Sequence, residues 1–314
     1  MSLVIAALVF AVLTPIAAGL ITGPRWRRIL GLAVAGVVLA LPYLLAASPM
    51  VRVGASLPCL IVGMRAWDLF WQKRPLPPLH RIWLMVAVFD TRDSKRVPRH
   101  FATRTLLEAL GWAGSAAACL GLSLWVAPQL GGRPGVALRW LAFAGFVVSM
   151  FESGPRIIIF ANALVGVRPP TLHKSPLRSR TVQEFWGVRW NQVVGAWLKR
   201  HFFMPMARRR RPRTGLAVSF VASAGLHLYV AKPGLEWGWA GLFALFFVVQ
   251  ILVIGAEQVL GVRGWSKPAG RMWTATVMIV CSPLFSEPML QTFAPMAPEL
   301  GLPSVTGGHD QAVP

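Results

Sequence analysis

Long apolar runs, separated by polar and strongly basic stretches, are the dominant pattern along the chain. Eight runs approach the about 20 residues that carry a helix across a bilayer. They lie at roughly 3–22, 29–47, 53–71, 105–127, 138–164, 214–231, 237–261 and 272–290. The first run is followed, not preceded, by its basic cluster (Arg25, Arg27, Arg28), which fits a signal-anchor better than a cleaved leader. Glu152, Pro155 and Arg156 interrupt the fifth, which reads as one kinked helix or two half-helices. The pattern predicts an all-α, polytopic integral membrane protein of about eight transmembrane helices with interfacial or re-entrant helices between them.

Composition supports this. Of the 314 residues, 55% are hydrophobic and 14% charged, and the mean hydropathy is +0.57. A soluble domain carries about 25% charged residues, so this chain has too little charge to cover a water-facing surface. The net charge of +21 would otherwise suggest nucleic acid. The placement of that charge gives another explanation. With the N-terminus outside, 26 of the 32 Lys and Arg fall in inside segments and 4 in outside ones. That is the positive-inside bias of a membrane protein, reinforced by attraction to anionic headgroups, and it argues against a nucleic-acid partner. Cys59, Cys119 and Cys281 lie in apolar stretches without metal-ligand spacing, so no metal site is expected. No Walker A, GxSxG, HExxH or dinucleotide fingerprint is present.

Two inside loops are long, about 72–104 and 165–213. In the first, Leu79 to Phe89 is apolar but too short to span, which points to an interfacial or re-entrant segment entered through Pro75, Pro77 and Pro78. In the second, Trp186, Trp190, Val193 and Trp197 recur at the spacing of one helix face. Glu184, Arg189, Gln192, Lys199 and Arg200 fall largely off that face. Thr181 with Glu184 three residues on forms a capping box, so the stretch 181–201 reads as an amphipathic helix at the membrane boundary. Asn191 is the residue that an interfacial anchor does not need. The run Arg208 to Arg211, with Arg213, suits either a phosphate-rich molecule such as coenzyme A or a positive-inside stop.

Ionisable groups inside spans are costly and mark candidate sites. Arg65 with Asp68 and Glu152 with Arg156 have the spacing of intrahelical ion pairs. Glu108 and Glu257 lie near span ends, where they can reach the interface. His227 is the only one of six histidines inside a span, among small and apolar neighbours from Ala222 to Gly225. A buried neutral imidazole can accept a proton; it can equally be packed and bonded to a neighbouring helix.

The stretch from Pro169 to Val230 resembles the wax synthase branch of the membrane-bound O-acyltransferase superfamily. The phrase Thr181-x-x-Glu184-Phe-Trp-Gly-Val-Arg-Trp-Asn191 carries the resemblance. Lys199-Arg200, Phe203-Met-Pro205 and Ser223-Ala-Gly-Leu-His227 follow in the same order. Val188 stands where many relatives carry a second Arg, and Leu228 where they carry Glu after the histidine.

The resemblance implies an acyl-CoA-dependent O-acyltransferase that forms an ester on a hydroxyl-bearing lipid or small-molecule acceptor. His227 would be the general base and Asn191 would position the thioester or donate to its oxyanion. Trp186, Arg189, Trp190, Lys199 and Arg200 would receive the acyl-CoA, a substrate; no permanently bound cofactor is implied. The alternatives are a lipid transporter or flippase and a catalytically inactive relative.

Domain organisation follows the same landmarks: N-terminal spans over 1–71, the inside segment 72–104, central spans over 105–164, a catalytic region over 165–290 and a poorly ordered tail over 291–314. Ala, Gly, Arg and Trp usage leans towards a bacterial inner membrane.

Overall fold

The computed structural model describes residues 1–72, 76–89, 94–98 and 100–296. Of the expected poorly ordered tail 291–314, the part from 297 onward lies outside the described residues, as does the entry proline Pro75, while Thr292 and Phe293 at its start are buried. The helices are α1 (Leu3–Leu20), α2 (Arg25–Leu44), α3 (Pro49–Phe70), α4 (Pro78–Val86), α5 (His100–Gly121), α6 (Ala127–Leu130) and α7 (Gly132–Ala163). They continue as α8 (Val182–Glu184), α9 (Gln192–Leu198), α10 (Met204–Arg208), α11 (Pro212–Ala231), α12 (Trp237–Val259), α13 (Lys267–Cys281) and α14 (Pro283–Leu290). One short antiparallel pair, β1 (Lys95–Arg96) with β2 (Val167–Arg168), sits Lys95 opposite Arg168. The protein is an all-α, multi-pass membrane protein.

Seven segments among the described residues are long and apolar enough to cross a bilayer, one fewer than the sequence predicts. The eighth, 272–290, divides into α13 and α14. Pro283 has no N–H to extend the α13 ladder, and α13 alone is about 22 Å long, short of the about 30 Å hydrocarbon core. The fifth is a single continuous helix, α7, with Pro155 inside it. The fourth runs from His100 to Leu130 through one wider π turn at Leu122–Val126.

The chain forms two compact bodies. The first comprises Met1–Thr91 with Gly225–Ala240. Its core joins Ala17, Ile21, Val38, Val62, Leu69 and Met85 from four helices. The segment read as interfacial is α4, which buries Leu84 and Met85 and exposes Leu79 and Trp83. Arg65 ends this helix: its Nη2 donates to the carbonyls of Ala87 (3.4 Å) and Val88 (3.1 Å), and its Nη1 lies 3.6 Å from Asp68. Arg65, besides forming the expected pair with Asp68, therefore also donates to the C-cap carbonyl of α4 and to the carbonyl that follows it. Tyr229, on the part of α11 in this body, donates its hydroxyl to the Leu39 carbonyl at 3.0 Å.

The second body comprises Arg92–Ala224 with Gly241–Pro314. Here α5 lies along α7, joined by Ser115 to Ser149 (3.0 Å) and by Ser153 donating to the Ala109 carbonyl (3.0 Å). The expected Glu152–Arg156 pair forms, and Arg156 Nε also reaches Glu108 at 3.4 Å. On α14, Glu287 accepts from Arg139 (2.5 Å) and from the Trp140 indole (2.6 Å), which fixes the segment after the Ser282 break to α7.

Candidate active site

The stretch 181–201 is not one amphipathic helix. It runs through α8, a π turn at Phe185–Arg189, an extended residue at Trp190, then α9 and a second π turn at Lys199–Phe203. A neighbouring loop segment, Leu172–Lys174, takes backbone bonds that a continuous helix would have used. Lys174 donates its N–H to the Arg189 carbonyl and Gln192 donates to the Leu172 carbonyl, both at 2.8 Å. Between them, Asn191 donates its N–H to His173 Nδ1 at 3.0 Å. Asn191 takes a left-handed backbone, φ 36° and ψ 71°, which asparagine tolerates better than most residues.

Asn191 is also the N-cap of α9. Its Oδ1 accepts the Val194 N–H at 3.2 Å. That bond decides which end of the carboxamide is oxygen. It leaves the two Nδ2 hydrogens as the side chain's remaining donors, on a half-buried residue. Among the described residues they make no protein hydrogen bond.

Aromatic rings pack around this turn. The Trp190 ring lies between Phe185 (5.5 Å, near-parallel) and His173 (4.2 Å). Trp186 packs among Phe220, Phe246 and Phe247 and donates its indole N–H to Gln250 Oε1 at 3.2 Å. Gln250 is fully buried within α12. Trp197 does not share their face; it meets His201 and Phe202. A tryptophan stripe at helical spacing thus resolves into two separate packing groups, because the helix breaks between them.

The charged positions divide in the same way. Arg189 donates from Nε to Glu184 (2.7 Å) and from Nη1 to the carbonyls of Lys174 (3.0 Å) and Ser175 (3.4 Å). Glu184 forms half of the expected capping box: its N–H donates to Thr181 Oγ1 at 2.9 Å, but its carboxylate turns to the Arg180 N–H at 2.7 Å. Burial alone would raise the Glu184 carboxyl, but the Arg180 N–H and the Arg189 guanidinium together hold it below its ordinary value. Lys199 and Arg200 are exposed.

Glu257 does not reach the interface as expected. It is buried, and its carboxylate accepts the N–H groups of Val182 (2.5 Å) and Gln183 (3.1 Å) and the Trp273 indole (2.9 Å). It therefore closes the start of α8 from the side.

His227 is half-buried on α11, on the portion that belongs to the first body, and the Ser223–Ala224 step just before it is buried. His173 escaped sequence reasoning because it lies in a loop with no motif of its own. Its one signal was position, eighteen residues before Asn191 and within the stretch from Pro169 to Val230 that carries the resemblance. Burial pushes its imidazole below the ordinary histidine value, against the opposing pull of Glu152 and of the Phe151 carbonyl. That carbonyl has no intrahelical donor, since Pro155 four residues on has no N–H.

Residues 169–249 match the membrane bound O-acyl transferase family. The wax synthase-like resemblance carried by the FWG phrase is thereby borne out. The chain is also similar to the protein named "Probable long-chain-alcohol O-fatty-acyltransferase 2" of Arabidopsis thaliana, at 26% identity over 136 residues. That match covers 38% of this chain and 40% of the relative, so the chain spans well under two thirds of the relative's length in the alignment.

Proposed function

We propose that the protein is a membrane-bound O-acyltransferase that moves an acyl group from acyl-CoA to the hydroxyl of a lipid-like acceptor, forming a wax, sterol or terpenoid ester. The observation that carries the reading is Asn191, in the family-matched region, held in a left-handed turn with its oxygen committed to capping and its amide hydrogens available.

In this reading His227 takes the acceptor hydroxyl's proton as its oxygen attacks the thioester carbonyl. Asn191 Nδ2 donates to the carbonyl oxygen as it becomes an oxyanion, an interaction worth about 3 kcal/mol in the transition state. The carbon–sulfur bond then breaks, the ester is released, and the coenzyme A thiolate takes the proton back from His227. Apolar span surfaces hold the acyl chain and exclude water. Lys199 and Arg200, exposed beside α9, supply cationic charge for the coenzyme A phosphates. Trp186, Trp190 and Arg189 serve the same substrate by keeping the Asn191 turn in shape. The membrane would be a bacterial inner membrane, on the composition of the chain.

The test is coenzyme A release by the purified chain, supplied with acyl-CoAs of several lengths and a pool of hydroxyl lipids, with esters identified by mass spectrometry. Release and a new ester are expected from wild type and not from His227→Ala at matched folded yield. Equal release from both proteins overturns the role of His227. Substrate movement without thioester consumption would support a transporter instead.

A further inference from the structure

The second body contains a partly enclosed pocket of about 120 Å³ whose lining includes Glu108, Phe151, Glu152, Arg156, Arg168 and His173. His173 is 91% buried by accessible surface (9% exposed), and its two nitrogens have different surroundings. Nδ1 accepts the Asn191 backbone N–H at 3.0 Å. Nε2 is buried and makes no hydrogen bond of good geometry among the described residues. An accepting Nδ1 requires the neutral tautomer with its proton on Nε2. The ring itself is clamped, 4.2 Å from Trp190 and edge-on to Phe151 at 6.4 Å.

Asn191 is the N-cap of α9, so its own N–H has no acceptor within that helix. The flanking bonds, Lys174 to Arg189 and Gln192 to Leu172, are backbone to backbone. The middle one is made by a side chain, so it is the one that substitution can remove without breaking the zipper.

We infer that His173 is a positioning residue for acyl transfer: through Nδ1 it holds the Asn191 backbone in the turn that leaves the Asn191 Nδ2 donors for substrate. The inference rests on the role given to Asn191 under the proposed function. His173 does not touch the reacting atoms; it sets where the donor stands. The Glu152–Arg156 pair on α7, Glu108 on α5 and Arg168 on β2 surround the pocket side of the ring, with Lys174 and Arg189 beside it in the loop. Two carboxylates face four cationic groups there, and burial disfavours a protonated ring, so the imidazole remains an uncharged acceptor.

The experiment compares His173→Phe, which keeps a ring against Trp190 but has no acceptor, with His173→Asn, whose Oδ1 can stand near the Nδ1 position. Two readouts are taken on the full chain in detergent: backbone amide exchange over Trp190 to Val194, and kcat and KM for the thioester. His173→Phe should speed exchange at the Asn191 amide about tenfold and lower kcat about tenfold, with KM within about twofold. His173→Asn should restore both to within about threefold of wild type.

Unchanged exchange in His173→Phe, or no rescue by His173→Asn, overturns the inference. If His173→Phe yields no folded protein, His173→Gln replaces it, since its acceptor lies one bond too far out, and the same exchange result is expected. Full turnover in Asn191→Asp overturns the proposed role of Asn191, and this inference with it. An inactive Asn191→Asp beside a fully active His173→Phe overturns this inference alone.

Discussion

The carboxylate of Glu257, buried in α12, accepts the N–H of Val182 at 2.5 Å and that of Gln183 at 3.1 Å, seventy-five and seventy-four residues away in sequence. A helix start is anionophilic because its first N–H groups have no intrahelical acceptor. Here the acceptor comes from a membrane helix. The FWG turn is therefore docked on α12 at its first residues by Glu257 and again at Trp186 by Gln250.

Removing the Glu257 carboxylate should be costly. Glu257→Leu leaves two backbone N–H groups and the Trp273 indole without an acceptor in a buried setting, at a cost of about 3 kcal/mol or more. Glu257→Gln keeps one oxygen and should cost about half as much. Thermal unfolding of the detergent-purified variants checks the order, and a Glu257→Leu protein as stable as wild type would refute it.

Asn191 offers a separation of cap from donor. Asn191→Asp retains the oxygen that accepts the Val194 N–H and loses both Nδ2 donors. Stability should hold within about 1 kcal/mol, since Asp and Asn cap helices equally well. Turnover should fall about a hundredfold. Asn191→Gly should also be inactive yet folded, because glycine accepts the positive φ without strain. Ester formation at saturating thioester, beside melting curves, decides it.

His173 should make stability depend on pH. Its imidazole is held below the ordinary histidine value by burial, so the native state binds the proton less readily than the unfolded chain. The stabilising effect is complete above the ordinary value of about 6.5. It is lost as pH falls through that value towards the lower native one. His173→Asn has nothing to titrate there, and its melting temperature should change less than that of wild type between about pH 7.5 and 5. Parallel curves for the two proteins would contradict this.

Arg189 is expected to matter for folding as much as for substrate. Arg189→Met removes three donors that tie Glu184, Lys174 and Ser175 together, and should cost about 2 kcal/mol. The loss should appear as lower folded yield and faster proteolysis within 172–192. A protein of normal stability with only a raised KM would assign Arg189 to the coenzyme A phosphates instead.

The spans and the site were legible to different degrees. Apolar length marks a membrane helix because the bilayer enforces it locally, so seven of eight runs stand as such helices. The run 272–290 misled because hydropathy does not register Pro283, whose missing N–H ends α13. The tryptophan stripe misled for a related reason. Periodicity assumes an unbroken helix, and nothing in Trp186, Trp190 and Trp197 announces that Leu172–Lys174 will compete for the backbone of 189–192. Glu257 looked interfacial because its partners are backbone N–H groups, which leave no mark in composition.

By itself the sequence determined that this is a polytopic helical membrane protein, which of its segments are basic, and where the FWG phrase and His227 stand, because apolar length, charge and motif are local properties. Tertiary structure decided the rest. It returned Gly225–Ala240 to the body formed by the first ninety-one residues, and it turned Asn191 left-handed against His173. It also supplied a buried carboxylate to a helix start seventy-five residues away. Each of these satisfies a backbone or buried polar group with a partner distant in the chain, and such a partner is fixed only when the helices pack.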